Sequence, residues 1–187
     1  MTEKERLYNA MLVIRCRKGD QQAFESLIQC WENRLFYFIH RLIPDEQRTW
    51  QVLQETWLEV LKSIQKLKDP MCLSTWIYRI ARNKAVDLIR KEYRLSIHYD
   101  VTAMDASQAD QSDHDIQAFD NAEQVHAGLA KLSIHHREIL TLFFLEDLSL
   151  KEIAHILSIS VGTVKSRIFH AKKTLRTILE QQEVDHA

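Results

Sequence analysis

The chain has 187 residues, 25 Lys and Arg against 26 Asp and Glu, a formal charge of −1 and only three Gly and two Pro. So few tight-turn signals, beside long stretches with a 3.6-residue apolar period, predict an all-helical protein of one domain or two small ones. Cys16, Cys30 and Cys72 stand singly, which argues against a zinc site and leaves no metal or cofactor to expect. No apolar run approaches the roughly 18 residues of a membrane span, and Ala10 to Ile14 is too short for a signal-peptide core; a reduced, cytoplasmic protein without membrane insertion is expected.

Four helices are predicted before residue 95. The first runs from about Tyr8 to Lys18 and stops at Gly19. The second opens at Asp20, a good N-cap, and carries Phe24, Leu27, Ile28, Trp31, Leu35, Phe38 and Leu42 as a stripe that ends before Pro44. The third carries Trp50, Leu53, Trp57, Leu61 and Ile64. A fourth begins after Pro70 with Leu73, Trp76, Ile77, Ile80, Ala81, Ala85, Leu88 and Ile89 as its apolar positions; Trp76 shares a face with Ile77 and Ile80, which points to the core.

Residues 95–122 differ in kind. Between Leu95 and Gln124 there are seven carboxylates and no Lys or Arg, with sparse aliphatics, so this reads as an acidic flexible linker. The rest of the chain then carries 25 basic and 19 acidic residues, and it is this basic part that would meet nucleic acid. Beyond the linker, Gln124 to Lys131, His135 to Leu145, Lys151 to Leu157 and Val161 to Leu179 read as helices. The expected organisation is two small helical domains, 1–94 and 123–187, joined by the linker.

The C-terminal segment has the form of a helix-turn-helix: an amphipathic helix with Ile153, Ala154 and Leu157, a turn at Ser158-Ile159-Ser160, and a last helix from Val161. From Val161 to Leu179 there is no acidic residue, while Lys165, Arg167, Lys172, Lys173 and Arg176 are basic. A phosphate backbone would attract such a helix. With Val164, Ile168 and Leu175 toward the core, Lys165, Ser166, Phe169 and His170 are left for a major groove. A second basic cluster, Arg79, Arg82, Lys84, Arg90, Lys91 and Arg94, is interleaved with Trp76, Tyr78 and Tyr93, a mixture that suits phosphate together with unstacked bases.

Five motifs in one order carry a resemblance: G-D-x-x-A-F at Gly19 to Phe24, L-Q-E-x-W at Leu53 to Trp57, W-I-Y-R-I-A-R-N at Trp76 to Asn83, D-x-I-R at Asp87 to Arg90 and G-T-V-K-S-R at Gly162 to Arg167. The chain resembles bacterial sigma factors of the extracytoplasmic-function group of the sigma-70 family. That resemblance implies a non-enzymatic protein that binds core RNA polymerase and directs it to promoter DNA, with an anti-sigma factor as a further partner. It places polymerase contacts at Gln51, Leu53, Gln54, Glu55 and Leu58, where Gln51 stands in place of a usual carboxylate. Contacts to the −10 element fall on Asn83, which would read a flipped base with the loop Lys66 to Met71, and on Leu67, Arg79, Arg82, Lys84, Asp87 and Arg90. Leu67 stands where an aromatic is frequent. Contacts to the −35 element fall on Lys165, Ser166, Arg167, Phe169, His170, Lys172 and Lys173, with His170 in place of a frequent Arg. The linker's 28 residues reach about 90–100 Å extended, against an element separation of some 70 Å; the resemblance threads it through a basic polymerase channel.

Two other classes remain in view. A helix-turn-helix regulator of the LuxR-like kind would also carry T-V-K, but residues 1–94 show no β/α alternation of a receiver domain. For an enzyme, nine His are available, yet none forms H-x-x-x-H or a convincing pair with Glu on one helical face, and His135 and His136 point apart.

Overall fold

The computed structural model describes residues 2–97 and 122–184, and among them every regular element is helical. The helices are α1 (Glu3–Arg17), α2 (Gln21–Leu42), α3 (Glu46–Ser63), α4 (Leu73–Ile97), α5 (Ala122–Lys131), α6 (Ile134–Leu140), α7 (Leu150–Leu157) and α8 (Val161–Val184). The chain divides into two compact units, with α1 to α4 in one and α5, α6 and α8 in the other. The interior of the acidic segment lies outside the described residues, and α4 runs on to Ile97, past the boundary expected at residue 94.

Helix α1 begins five residues earlier than its apolar pattern predicts, because of its cap. The Thr2 hydroxyl accepts from the Glu5 amide (3.3 Å) and the Glu5 carboxylate accepts from the Thr2 amide (2.7 Å), a reciprocal capping box that satisfies two otherwise orphaned donors. The Thr2 amide holds the Glu5 carboxyl below its usual range. The helix stops at Gly19, whose φ of +83° lies in the left-handed region that favours glycine. Asp20 then caps α2 through the Ala23 amide (3.1 Å) while pairing with Arg15 (2.8 Å), and these two contacts lower its pKa. Ala23 is fully buried, and Phe24 meets Trp57 edge-on at 6.1 Å. The G-D-x-x-A-F motif is therefore a folding device: a left-handed stop, a cap, and two packing residues.

The core of the first unit centres on Trp31, Phe38 and Tyr78. Tyr78 packs edge-on against Trp31 (5.8 Å) and Phe38 (5.3 Å), an arrangement favoured by the ring quadrupoles. The indole of Trp31 donates to Asn9 (3.2 Å), a buried hydrogen bond that ties α1 to α2. On α3, Asp45 caps the Arg48 amide (2.8 Å), and Thr49, Val52, Leu53, Thr56, Trp57 and Val60 are buried. The hydroxyls of Thr49 and Thr56 donate to the carbonyls of Ile43 (3.0 Å) and Val52 (2.7 Å), so neither is buried unpaired.

Two short 3-10 turns, Ile64–Lys66 and Pro70–Cys72, connect α3 to α4 and pack on α1. Arg17 donates to the Ile64 carbonyl (3.4 Å), and Gln65 donates to the Arg17 carbonyl (2.7 Å). Asp69 caps the second turn through the Met71 amide (2.9 Å), with Pro70 at the first helical position.

In the second unit α8 is the long packing element. Val164, Ile168, Ala171, Leu175 and Leu179 are buried, and α5 and α6 both pack on it. A Cβ at Gly128 would lie 2.8 Å from Leu175 and 3.0 Å from Leu179, so α5 approaches α8 at glycine distance. The guanidinium of Arg137 donates to the carbonyls of Ala130 (2.6 Å) and Leu132 (2.9 Å), closing the C-terminal end of α5. Helix α6 continues into one wider π-type turn, Thr141–Leu145, which the sequence pattern does not anticipate. No described helix is long and apolar enough to cross a membrane.

Candidate nucleic-acid interface

Helix α4 turns two different faces outward and inward. Ile77, Tyr78, Ala81 and Ala85 are buried, while Arg79, Asn83, Asp87 and Arg90 are exposed, at spacings of four, four and three that keep them on one side. Arg82 and Lys84 flank that side and are partly covered; Lys84 reaches Glu59 of α3 at 3.5 Å. Arg48 pairs with Glu92 at 2.9 Å, so α3 and α4 are cross-braced by two ion pairs at the edge of this surface.

Three aromatic and apolar expectations change here. Trp76 is half-buried on the outer face, in line with Asn83 two turns on, instead of lying in the core. Tyr78, expected among the basic groups, is buried in the aromatic cluster. The reason is phase: Ile77, Tyr78, Ala81 and Ala85 form the continuous inner stripe, and Trp76 falls outside it. Leu67 is buried at the end of the first 3-10 turn, so its side chain packs inward and is not presented on the loop surface. Lys66, Lys68, Asp69 and Met71 of that loop are exposed. The side chains of Tyr93 and Arg94 lie outside the described residues.

The outer face of α3 mixes amides with large apolar groups. Gln51, Gln54, Glu55 and Leu58 are exposed, and Gln51 donates to Glu55 at 3.2 Å. Leu53 departs from the expected contact set: it is 1% exposed and belongs to the core. Trp50 and Leu61, expected inside, are 41% and 56% exposed. The inner stripe is supplied instead by Thr49, Val52, Leu53, Thr56, Trp57 and Val60. Two threonines in that stripe hide it from a reading based on apolar residues alone. Trp50 rests on Phe36 (4.6 Å), which stacks on His40 (5.7 Å), so its indole is held in place though half in water.

The C-terminal turn is built by two caps. Ser149 and Glu152 form a second capping box at the start of α7, with amide contacts of 2.9 and 3.3 Å. Ser158 takes φ of 56°, left-handed, and ends that helix. Ser160 then accepts from the Thr163 amide (3.0 Å) and contacts the Thr163 hydroxyl (2.8 Å), starting α8. Lys165 and Lys173 are exposed; Ser166, Phe169 and His170 are partly exposed on the side away from Val164, Ile168 and Leu175, with Arg167, also partly exposed, on the flank toward α6. Lys172 sits nearer the core flank, its ammonium over the rings of Phe143 (5.6 Å) and Phe144 (5.0 Å). Arg176 is engaged by Glu180 at 2.7 Å.

Histidines gather between α6 and α8. Burial holds the His136 imidazole below its usual pKa, reinforced by His170, His135 and Arg167 nearby. His135 also pairs with the buried carboxylate of Glu138 at 3.4 Å, which corrects the expectation that no His faces a Glu: residues three apart are neighbours on a helix. No group of three or more metal-ligating side chains exists among the described residues.

Comparison with known families matches residues 27–95 to the sigma-70 region 2 model and residues 122–175 to the sigma-70 region 4 model. The chain is 31% identical over 179 residues to the RNA polymerase sigma-H factor of Pseudomonas aeruginosa, covering 90% of this chain and 92% of that one. It is 31% identical over 191 aligned positions to the ECF RNA polymerase sigma-E factor of Haemophilus influenzae, covering 94% and 97%. Among solved structures, the sigma factor RpoE in complex with the anti-sigma factor NepR, from Bartonella quintana, superposes with a TM-score of 0.67 at 21% identity, over 84% of this chain and 96% of that one; this likeness speaks to the fold.

Proposed function

The chain belongs to the extracytoplasmic-function group of the sigma-70 family, factors for promoter-specific transcription initiation, and from that premise we propose how its surfaces divide the work. Residues 1–94 bind core RNA polymerase and the −10 element, residues 123–187 bind the −35 duplex, and residues 95–122 tether the two.

The observation that carries this reading is the outer face of α4. Trp76 and Asn83 stand about 10 Å apart along the helix, with Arg79 between them and Arg90 two turns beyond Asn83. An indole offers a stacking surface to a base, an amide both donates and accepts at a base edge, and the guanidinium groups hold the flanking phosphates. Such a set suits a base out of its stack. With Leu67 packed inward, Trp76 takes the platform role, and the Lys66 to Met71 loop, fastened to α1, forms the neighbouring wall. Arg82, Lys84 and Asp87 border the site.

On α3 the polymerase contact comprises Gln51, Gln54, Glu55 and Leu58, extended by Trp50 and Leu61; Leu53 supports it from within. A partly exposed indole such as that of Trp50 is the kind of anchor that interface hot spots favour, and Leu58 and Leu61 add apolar area beside it. On α8, Lys165, Ser166, Phe169, His170 and Lys173 face the duplex, Arg167 flanks them, and Lys172 serves as a strut on the phenyl rings with phosphate contact secondary. A regulator that holds the factor inactive, of the anti-sigma kind, is the further partner.

The test is reconstituted transcription with purified core polymerase. Initiation from a defined start, dependent on the added chain, is expected, while the free protein should bind duplex DNA weakly and with a steep salt dependence. Tight sequence-specific duplex binding by the free protein, without initiation, would overturn the proposal in favour of a conventional regulator.

A further inference from the structure

Helix α1 exposes four large apolar side chains that neither its own unit nor the surfaces assigned above account for. Leu7, Tyr8, Met11 and Ile14 are 57%, 46%, 46% and 47% exposed. Their spacing of i, i+1, i+4 and i+7 makes one seam, opposite the buried Asn9, Leu12 and Val13. The other helices of the unit approach α1 from the inner side, where it packs on α2, α4 and the two 3-10 turns. Such a contiguous apolar stripe on a helix is a docking feature more often than an accident of composition.

We propose that this seam docks one amphipathic α-helix of a second protein, whose apolar stripe is flanked by carboxylates. The charge around the seam selects that partner. Lys4 and Lys18 lie on the seam's own side at its two ends, and Arg15 lies beside Met11, all exposed. Of the nearby acids, Glu5 caps the Thr2 amide and Asp20 holds Arg15 and the Ala23 amide; Glu3, four residues before Leu7, is exposed on the seam's side and offsets part of the charge of Lys4, so the positive excess is greatest at the Lys18 end. A second copy of this chain fits poorly. Antiparallel pairing centred on Met11 places Lys4 opposite Lys18 and Leu7 opposite Arg15, and parallel pairing sets each lysine against itself; opposed like charges exclude such a mate. A helix with Glu or Asp beside its apolar stripe pairs both lysines, and a carboxylate near Lys4 also meets the positive end of α1. The seam is only about 10 Å long between Leu7 and Ile14, so the contact is of micromolar strength, one part of a larger attachment.

The full chain, methyl-labelled at Met, Ile and Leu, would be titrated with two designed three-heptad helical peptides that share a leucine seam and carry either Glu or Lys at the flanking positions. The Glu-flanked peptide should shift the Met11, Ile14 and Leu7 methyls and bind at least about ten-fold more tightly than the Lys-flanked one. Met11→Glu should abolish that binding without lowering the melting temperature, and Leu58→Glu on α3 should leave it unchanged. In reconstituted transcription Met11→Glu should initiate like wild type. Equal affinity for the two peptides would reduce the seam to unspecific stickiness. Light scattering that finds a dimer dissolved by Met11→Glu would give it to a second copy, and loss of initiation would give it to polymerase; each of these overturns the proposal. Because the peptide titration uses neither polymerase nor promoter, its failure is separable from failure of the transcription reading.

Discussion

Helices α4 and α8 are both long and both basic on the outside, yet the uncharged residues among their cations differ, and the proposed function assigns them different forms of the same polymer. The outer face of α8 has no carboxylate between Val161 and Leu179 and sets Ser166, Phe169 and His170 among its lysines, groups that can meet base edges and methyls in a major groove. The outer face of α4 keeps Asp87 among its arginines and adds an indole and an amide. Positive charge without carboxylates, with side chains that reach base edges, suits an intact duplex; an indole plane beside an amide suits a base already released from pairing. The difference teaches that net charge locates a nucleic-acid surface, while the uncharged residues within it decide which state of the nucleic acid it fits.

The sharpest way to break that distinction starts with neighbouring aromatics on α4. Tyr78→Ala removes a buried ring between Trp31 and Phe38 and should lower unfolding stability by about 3–5 kcal/mol. Trp76→Ala should cost stability far less, by about 1 kcal/mol for a half-buried side chain, yet reduce open-complex formation on promoter DNA. Chemical denaturation beside an open-complex assay separates the two; equal loss of stability would return Trp76 to the core.

Asn83→Ala comes next, with an expected loss of about 1–3 kcal/mol in open-complex formation and little change in stability, since the side chain is exposed. Fork-junction DNA carrying each of the four bases at the flipped position should show a base-dependent deficit. A uniform deficit would assign Asn83 to backbone positioning. The matching test on α8 is Lys165→Ala, expected to weaken duplex binding by up to about 1–3 kcal/mol if it meets a guanine edge, and to reduce the salt slope by about one unit if it meets phosphate.

Gly162 tests whether the start of α8 approaches a duplex as proposed. Its Cβ position is open, with nothing nearer than the Ser160 hydroxyl at 3.6 Å, and its φ is helical, so the fold does not require glycine there. Gly162→Ala should stabilise the second unit by up to about 1 kcal/mol through helix propensity. If the first-turn amides of α8 approach a phosphate, the same variant should weaken −35 binding, measurable by competition with duplex oligonucleotides. Unchanged binding would remove that approach.

The smallest effect is the pH response of the second unit. The His136 pKa is lowered in the folded state, chiefly by burial and then by His170, His135 and Arg167. The unfolded chain therefore binds more protons below about pH 6.5, the ordinary histidine value. Stability is fully present above that value and is lost as pH falls toward the lower folded pKa. Melting curves across that window should show a decline that His136→Gln flattens.

The amino-acid sequence by itself determined the helical class, the acidic break after residue 95 and the punctuation of the helices. Gly19, Asp20, Ser149 and Ser160 act through local backbone geometry and capping, which need only near neighbours in the chain. The exposed polar groups of the candidate sites, Asn83, Arg79, Gln54 and Lys165, were legible for the same reason: the motifs that carry them are contiguous. Tertiary structure alone decided which large side chains are hidden. On α3 and α4 apolar residues cover more of the helix than one stripe needs, so periodicity leaves the phase open. Packing settles it, burying Thr49, Leu53 and Tyr78 while leaving Leu61 exposed and Trp50 and Trp76 only partly covered. The α1 seam was not legible for the same reason: apolar residues lie on more than one side of the helix, and only packing shows that Leu12 and Val13 fill the core while Leu7, Met11 and Ile14 stay exposed.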